Sequence, residues 1–368
     1  MYEITYVFKS GRKEKYINSN IEAKELYYGL PLFEDKNNIR VLEFNEELGS
    51  NRFFLRKVEG VLSNLLSLPF YFSKILTKEN FKVLNNSKNI ILVNESVACS
   101  LIPYLVYLKL FNKKNILIFV MGLYSKKINY KIFKPLHHLI IKLIELTSDN
   151  IFFLGKGELE KAENNKKKNK KFVYFPFCVD TDFWNGNPKK NVNNNVIFVG
   201  NDSNKDQETL LYISNALPEI NFKFISNLPL LKDIKNNNVE LIKGDWSKGY
   251  LTDEELKHHY LNSKMCIIPL VESSQPSGQS VALQSMSLGI PVMISRTSGF
   301  WDDNEFFQEK NIIFVEENTP ENWVNKIELI LNNDKLLNQI STNSRNLINE
   351  KYNLEIFYNN LLLYLHQS

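Results

Sequence analysis

Cysteine is scarce in these 368 residues: Cys99, Cys178 and Cys266 are too few and too scattered for a disulfide framework or a zinc site, and point to a reducing compartment. Histidine numbers only five. His137-His138 and His258-His259 fall in helical patterns, where adjacent side chains point about 100° apart, so each pair reads as ordinary helix surface. His366 is almost terminal. No apolar run is long enough to span a bilayer. Val97–Leu108 and Ile116–Leu123 are the longest, and Asn112-Lys113-Lys114-Asn115 separates them. Met1–Phe8 has no basic n-region and reads as a first strand, so a cytoplasmic protein is expected. The sequence also lacks an internal repeat of roughly 20–50 residues, a Ser/His/Asp or paired-carboxylate constellation, and any metal-ligand spacing.

Apolar residues at 43% and charged residues at 23% describe an ordinary globular chain, long enough for two or three domains or one large α/β unit. The net charge of +4 conceals an asymmetry. Residues 1–180 carry 29 Lys and Arg against 18 Asp and Glu, or +11, and residues 181–368 carry 16 against 23, or −7. Two domains with different surroundings are implied. The basic half has no nucleic-acid recognition motif, and its charges are spread along the chain. The lysine-rich 164–171 stretch reads as a solvated loop.

Short runs rich in Val, Ile and Phe alternate with helical patterns. They are Glu3–Phe8, Ile39–Phe44, Ile90–Val93, Ile116–Val120, Ile151–Leu154 and Phe172–Phe175, with helices such as Val58–Leu76 and Tyr130–Leu146 between them. After a polar, Asn-rich linker at Asn185–Asn195 the pattern restarts. Strands are predicted at Val196–Val199, Phe222–Ile225, Val239–Ile242, Met265–Pro269, Val292–Ile294 and Ile312–Val315. Helices are predicted at Gln207–Leu217, Asp253–Asn262, Gly278–Leu288, Glu321–Leu331, Lys335–Tyr352 and Leu354–His366. Such alternation means parallel sheets covered on both faces, with ligands bound at the carboxyl ends of the strands.

Two strand-to-helix turns carry features suited to phosphate. In the first, a strand ends at Gly200, where backbone can approach a ligand, and Lys205 brings a cation to the helix that begins near Asp206. In the second, Ser277 reads as the N-cap of a helix ending at Gly289, so Ser277, Gly278, Gln279 and Ser280 offer backbone N–H groups at a positive helix end. Plain capping of a core helix is the competing reading. Fixed donors at these turns would stabilise the negative charge of a bound phosphate.

These residues resemble the retaining glycosyltransferases of the GT-B fold, in particular the large family 4-like group and within it a subgroup with a Ser-Gly-Gln loop. The Gly200-Asn201 turn with Lys205-Asp206, the Ile268-Pro269 strand end, the Glu272–Gln284 segment and Leu288-Gly289-Ile290-Pro291-Val292 are similar to that group's donor-binding motifs. Phe175–Phe183 resembles its interdomain stretch and Ser344–Asn353 its closing helices. The resemblance implies an α/β chain of two doubly wound Rossmann-like domains facing a central cleft. Residues 1–178, completed by the last helix at 353–368, would bind the acceptor, and 179–352 the nucleotide-sugar donor. Lys205 and Glu272 would be catalytic, and Gly200, Asn201, Asp206, Ser277, Gly278, Gln279, Ser280 and Gln284 would hold the donor. Gly11, Arg12 and Gly122 would stand on the acceptor side.

This chain departs from the family pattern at four places. Pro276 stands where the first of two glutamates eight positions apart is usual, Gln284 at the second, and Asn201 at an arginine. Gln284 can still hydrogen-bond ribose hydroxyls. Met121 occupies a position where relatives carry histidine. The resemblance implies front-face substitution with retention, without a protein nucleophile, cofactor or metal. Expected partners are a nucleotide-diphosphate sugar and a glycan or lipid-linked acceptor in cell-surface polysaccharide or lipopolysaccharide biosynthesis, with no nucleic acid. Alternatives are a GT-B epimerase or phosphorylase, or a catalytically silent nucleotide-sugar-binding subunit. The mixed basic and aromatic residues from Arg52 to Lys74 suit peripheral contact with the inner face of a membrane; a core helix with a basic edge is the other reading.

Overall fold

The computed structural model describes residues 2–18, 22–33, 38–164, 169–188, 195–244 and 249–365. Half of the lysine-rich loop, most of the Asn185–Asn195 linker and His366 lie outside them. The chain divides into two compact units. Unit 1 comprises residues 1–21, 27–176 and 358–368, and unit 2 comprises 22–26 and 177–357. The division falls inside the last helix, between Phe357 and Tyr358, and residues 22–26 group with unit 2, which sequence patterning does not reveal.

Unit 1 is built on six parallel strands, β1 (Tyr2–Phe8), β2 (Ile39–Glu43), β3 (Ser87–Val93), β4 (Asn115–Val120), β5 (Asn150–Phe153) and β6 (Phe172–Tyr174), in the order β2-β1-β3-β4-β5-β6. β3, β4 and β5 are buried almost throughout, which explains their continuous apolar sequence. The order reverses between β1 and β3, so the switch point of this sheet lies beyond Phe8 and Val93. The helix predicted at Val58–Leu76 is in fact two helices, Phe53–Leu66 and Phe72–Ile75. Ser67 adopts φ +52° at the first helix's end and Pro69 follows, so the backbone cannot continue as one helix. Between the pieces Leu68 and Phe70 turn into the core.

Unit 2 repeats the design with β7 (Asn195–Val199), β8 (Asn221–Ile225), β9 (Val239–Ile242), β10 (Met265–Ile268), β11 (Val292–Ser295) and β12 (Ile313–Val315), in the order β12-β11-β10-β7-β8-β9. Every strand, and the helices Gln207–Ala216, Asp253–Leu261, Gln279–Ser287, Pro320–Leu331 and Asp334–Lys351, fall where the sequence pattern predicts them. The sheet reverses between β7 and β10, the position where a doubly wound sheet opens a crevice. These two strands pair only at Met265–Val196 and Cys266–Ile197, so their carboxyl ends are free to part. Phe198, Phe222, Phe224, Ile327 and Trp323 fill one side of the sheet.

The last helix completes unit 1 through a short polar ladder. Asn115 Nδ2 donates to Asn89 Oδ1 at 2.7 Å and to the Tyr364 carbonyl at 2.9 Å, and Asn89 Nδ2 donates to the Glu3 carbonyl at 3.1 Å. Tyr358 packs edge-on to Phe33, and Tyr364 to Phe152. Because buried amides left without partners cost about 1–3 kcal/mol, Asn115→Ala is expected to destabilise unit 1 by that amount. It should also speed amide exchange over residues 358–365, as hydrogen-exchange mass spectrometry would show.

Candidate functional site

The Gly200 turn and the β10 loop meet beyond the parted strand ends. The Asp206 N–H donates to the Pro269 carbonyl at 3.0 Å, and the Val271 N–H to the Asn204 carbonyl at 2.9 Å. Lys205, only 4% exposed, lies between them. Its Nζ donates to Asp202 Oδ2 at 2.7 Å and to Ser277 Oγ at 3.0 Å, and Ser277 Oγ donates to Asp202 Oδ1 at 3.0 Å. The two phosphate-friendly turns are therefore joined by side chains. Lys205 is the turn's lone cation, and it is paired with Asp202 rather than left without an anion. Partial burial pushes the Asp202 carboxyl up, but the Lys205 charge and hydrogen bonds from Lys205, Asn204 and Ser277 outweigh this and hold it below the usual range.

Gly200 lines the cavity beyond this turn and has a further task. A Cβ there would collide with the Lys205 stem, so the glycine makes room for the buried lysine. Ser277 is not the helix cap. Gly278 is, at φ +76°, and a Cβ on it would stand 2.7 Å from Ile268 Cγ2. Gly278 begins the Gln279–Ser287 helix in a conformation few other residues accept.

A cavity of about 340 Å³ in unit 2 opens here. It is lined by Gly200, Asn201, Lys205, Gly278, Ser280 and Gln284, and also by Glu25, Thr252 and Asp253. Ser280 and Gln284 are one turn apart on one helix face. Two expected site residues do other work. Asp206 caps the Gln207–Ala216 helix, accepting from the Thr209 N–H at 3.0 Å and its hydroxyl at 2.8 Å. Glu272 accepts from the Ser298 N–H at 3.1 Å and hydroxyl at 2.5 Å, stapling two loops together outside the cavity lining. Ser277 and Gln279 also stand outside the lining. Asn201 touches the cavity, but its amide is committed: Oδ1 accepts from the Asn227 N–H at 2.6 Å and Nδ2 donates to the Gly244 carbonyl.

Sequence reasoning missed Glu25. It is 1% exposed, and its Oε1 accepts from Gln284 Nε2 and from Trp184 Nε1, both at 2.8 Å. Burial pushes its carboxyl up to about 7, against the pull of these hydrogen bonds, and nearby Asp253 adds to the rise. No motif marks Glu25 in the sequence, since its partner lies 259 positions away.

In unit 1 the acceptor-side candidates are held by acids that were also missed, and the one that holds Gly122 is buried. Gly122, at φ +118°, donates its N–H to Glu158 Oε2 at 2.8 Å, and the Tyr124 N–H donates to Glu158 Oε1 at 3.0 Å. Met121 N–H donates to Glu95 Oε2 at 3.1 Å. Burial and the neighbouring Glu95 raise the Glu158 carboxyl to about 8, against the N–H groups and Lys126. Gly11 turns the chain at φ +97°, and the Arg12 N–H donates to Glu43 Oε2 at 3.0 Å. The Arg12 guanidinium lies 5.3 Å from the Phe8 ring centroid.

A buried acid whose pKa rises on folding favours the fold fully below its ordinary pKa and loses that contribution as pH climbs through the folded value. For Glu25 the rise from 4.5 to about 7 corresponds to about 3 kcal/mol. Calorimetry across this interval should show unit 2 losing thermal stability as pH rises from about 5 to 8, by roughly 6–12 °C. Glu25→Gln should abolish most of that slope; an unchanged slope would reject the assignment. Glu158→Gln should do the same for unit 1.

Residues 246–347 match the family model of "Glycosyl transferases group 1". No curated protein sequence matches the chain significantly. Among solved structures, the chain is similar to sucrose-phosphate synthase from Thermosynechococcus elongatus at 13% identity, over 99% of this chain and 98% of that one, with TM-score 0.68. It is similar to Anabaena HepE, solved with UDP and glucose, at 11% identity over 100% of both chains, with TM-score 0.67. It is also similar to S. aureus TarM, solved with UDP and alpha-GlcNAc-glycerol, at 14% identity and TM-score 0.58, and there it covers 77% of its own length and spans 56% of that chain. The fold is that of the GT-B glycosyltransferases, and with the matched group 1 segment at 246–347 it indicates a glycosyltransferase.

Proposed function

We propose that the chain transfers a sugar, with retention, from a nucleotide-diphosphate donor to a glycan or lipid-linked acceptor of a cell-surface polysaccharide or lipopolysaccharide. The observation that carries this reading is the Lys205–Ser277 hydrogen bond, which unites both phosphate-suited turns at the mouth of one cavity. Helix-start N–H groups near Ser280 and the Lys205 ammonium face the place where diphosphate charge would grow. Asp202 keeps the lysine positioned, and a bound diphosphate would compete with it for that cation. The reading needs no metal and no protein nucleophile. HepE, solved with UDP and glucose, is in keeping with such a donor.

A second reading is a silent nucleotide-sugar-binding subunit. The engagement of Glu272 by Ser298, with Pro276 nearby, favours it. Nucleoside diphosphates should raise the melting temperature under either reading. Sugar transfer or release separates the two. Lys205→Ala is expected to slow turnover about 30- to 1000-fold, the cost of roughly 2–4 kcal/mol of charge-assisted stabilisation. Lys264→Ala, which removes only a surface pair with Asp334, is the control. Wild-type donor affinity and turnover in folded Lys205→Ala would reject the diphosphate site.

The acceptor is proposed to reach unit 1 from an anionic membrane. Among the described residues no helix is long and apolar enough to cross a bilayer. The Phe53–Leu66 helix nevertheless exposes Phe53, Phe54, Val58 and Val61, and the Lys134–Thr147 helix and its lead-in expose Ile132, Leu136 and Leu139. The two helices touch where His137 Nδ1 meets the Leu66 carbonyl at 2.6 Å. Residues 52–78 and 121–144 contain ten Lys and Arg and a single acid, Glu59, which is buried. Leu66, Leu68 and Phe70, which lie in the Arg52 to Lys74 stretch, belong to the core. Flotation should recover the protein with anionic and not neutral vesicles, and Phe54→Ser with Ile132→Ser should abolish recovery. Equal absence from both vesicle types would remove the membrane from the scheme.

A further inference from the structure

The Phe53–Leu66 helix borders an open cavity of about 530 Å³ within unit 1. Arg56, Gly60 and Ser63 stand at i, i+4 and i+7 on one face of that helix, and Ser67 follows just past its end. Lys74 and Lys126 add two ammonium groups to the wall. Gly60 is the informative residue. It sits in mid-helix, where glycine is a weaker helix former than almost any other residue. No packing constraint explains it: its φ is not in the left-handed region, and a Cβ on it would meet nothing within 4 Å. What the missing side chain leaves is room in the cavity between Arg56 and Ser63.

Positive charge is in excess around that room. Among the described residues the one acid in the lining is Glu59, which is buried and accepts from the Ser73 N–H at 2.9 Å and hydroxyl at 2.8 Å. Arg56 forms no ion pair among the described residues, and Lys126 Nζ stands 3.9 Å from Glu95 Oε1. Lys74 pairs at 2.6 Å with Glu46, which lies outside the lining. Lys9 Nζ and Lys74 Nζ are 6.0 and 5.1 Å from the centroid of the same Tyr71 ring. Desolvation first, and then repulsion by Arg12, Lys126 and Lys74, lower the Lys9 ammonium, against the attraction of Glu95. Two hydroxyls complete the wall. Ser63 Oγ accepts from the Phe70 N–H and Ser67 Oγ from the Asn129 N–H, both at 3.0 Å, so each keeps its own proton to donate.

We propose that this cavity binds a phosphate monoester, which takes charge-assisted hydrogen bonds from Arg56 and Lys126 and hydroxyl protons from Ser63 and Ser67, in the room that Gly60 leaves. Cationic and hydroxyl donors converging on one space, with the only acid of the lining engaged by Ser73, suit an oxyanion with several acceptor oxygens and do not suit a neutral sugar hydroxyl. The site is built from unit 1 residues and shares none with the Lys205 cavity. Two carriers have this chemistry, a lipid headgroup and a soluble phosphate ester. The lipid carrier rests on the membrane reading given above, and the site itself does not.

The test is calorimetric titration of the full chain with glycerol 3-phosphate, with glycerol as the uncharged comparison. Wild type is expected to bind the ester and not glycerol. Gly60→Leu should abolish that binding without lowering the melting temperature, because the new side chain enters open space and strengthens the helix. Lys126→Gln should weaken binding about 10- to 100-fold, the usual worth of a hydrogen bond between charged groups. Lys57→Gln, on the same helix and outside the lining, should leave it unchanged. Flotation with phosphatidylcholine vesicles carrying phosphatidic acid, or phosphatidylserine at equal surface charge, identifies the carrier. A preference for phosphatidic acid that Gly60→Leu abolishes supports the site on a lipid; no preference, with glycerol 3-phosphate still bound, supports it with a soluble ester. Wild type that neither binds glycerol 3-phosphate nor prefers phosphatidic acid overturns the inference, as does wild-type binding in Gly60→Leu, and both leave the donor and membrane readings intact. Loss of flotation with every anionic vesicle overturns the membrane reading alone.

Discussion

A lysine buried among polar partners holds the carboxyl edge of the second sheet together. Burying an ammonium is costly unless its hydrogen bonds are met, and Lys205 is met by one carboxylate and one hydroxyl. Much of the local sequence follows from that requirement. Gly200 is small because the lysine stem crosses it, and Asp202 is acidic because the lysine is charged. Ser277 faces the lysine, so the helix start passes to a glycine in the left-handed region. Two turns 72 residues apart in the chain are thus fixed to each other before any ligand is considered.

The fold was legible because its signals are local. Val196–Val199 and Met265–Pro269 are short, apolar and bounded by turn residues, and buried parallel strands show nothing else. The break after Leu66 was hidden because Ser67 and Pro69 interrupt a sequence whose apolar period continues on both sides. The two phosphate-suited turns were legible from Gly200, Lys205 and Gly278. Which side chain on each turn faces the cavity was not. Asp206 and Glu272 have the right chemistry at the right spacing, yet their oxygens are spent on Thr209 and Ser298. Sequence shows that a carboxylate is present; only packing shows whether it is already engaged.

Buried glutamates at helix starts recur in unit 1. Glu95 and Glu158 stand in the first turns of their helices, where the helix dipole favours negative charge, and both accept backbone N–H groups from the loop after β4. That loop would otherwise leave several N–H groups buried without partners. Its conformation follows from two acids on separate helices, and the residues 121–124 themselves carry little of the information.

The division of the chain sets an order on its biosynthesis. Residues 27–176 leave the ribosome well before Tyr358–Leu365, yet Asn115 and Phe152 each find a further partner in that last helix. Residues 22–26 emerge earlier still, and Glu25 waits for Gln284. Neither unit can close on contacts between chain neighbours, and both must pay late loop-closure entropy over some 250 residues. A nascent unit 1 therefore spends most of translation as an open sheet with one helix position vacant, a state in which exposed apolar surface invites chaperones or aggregation.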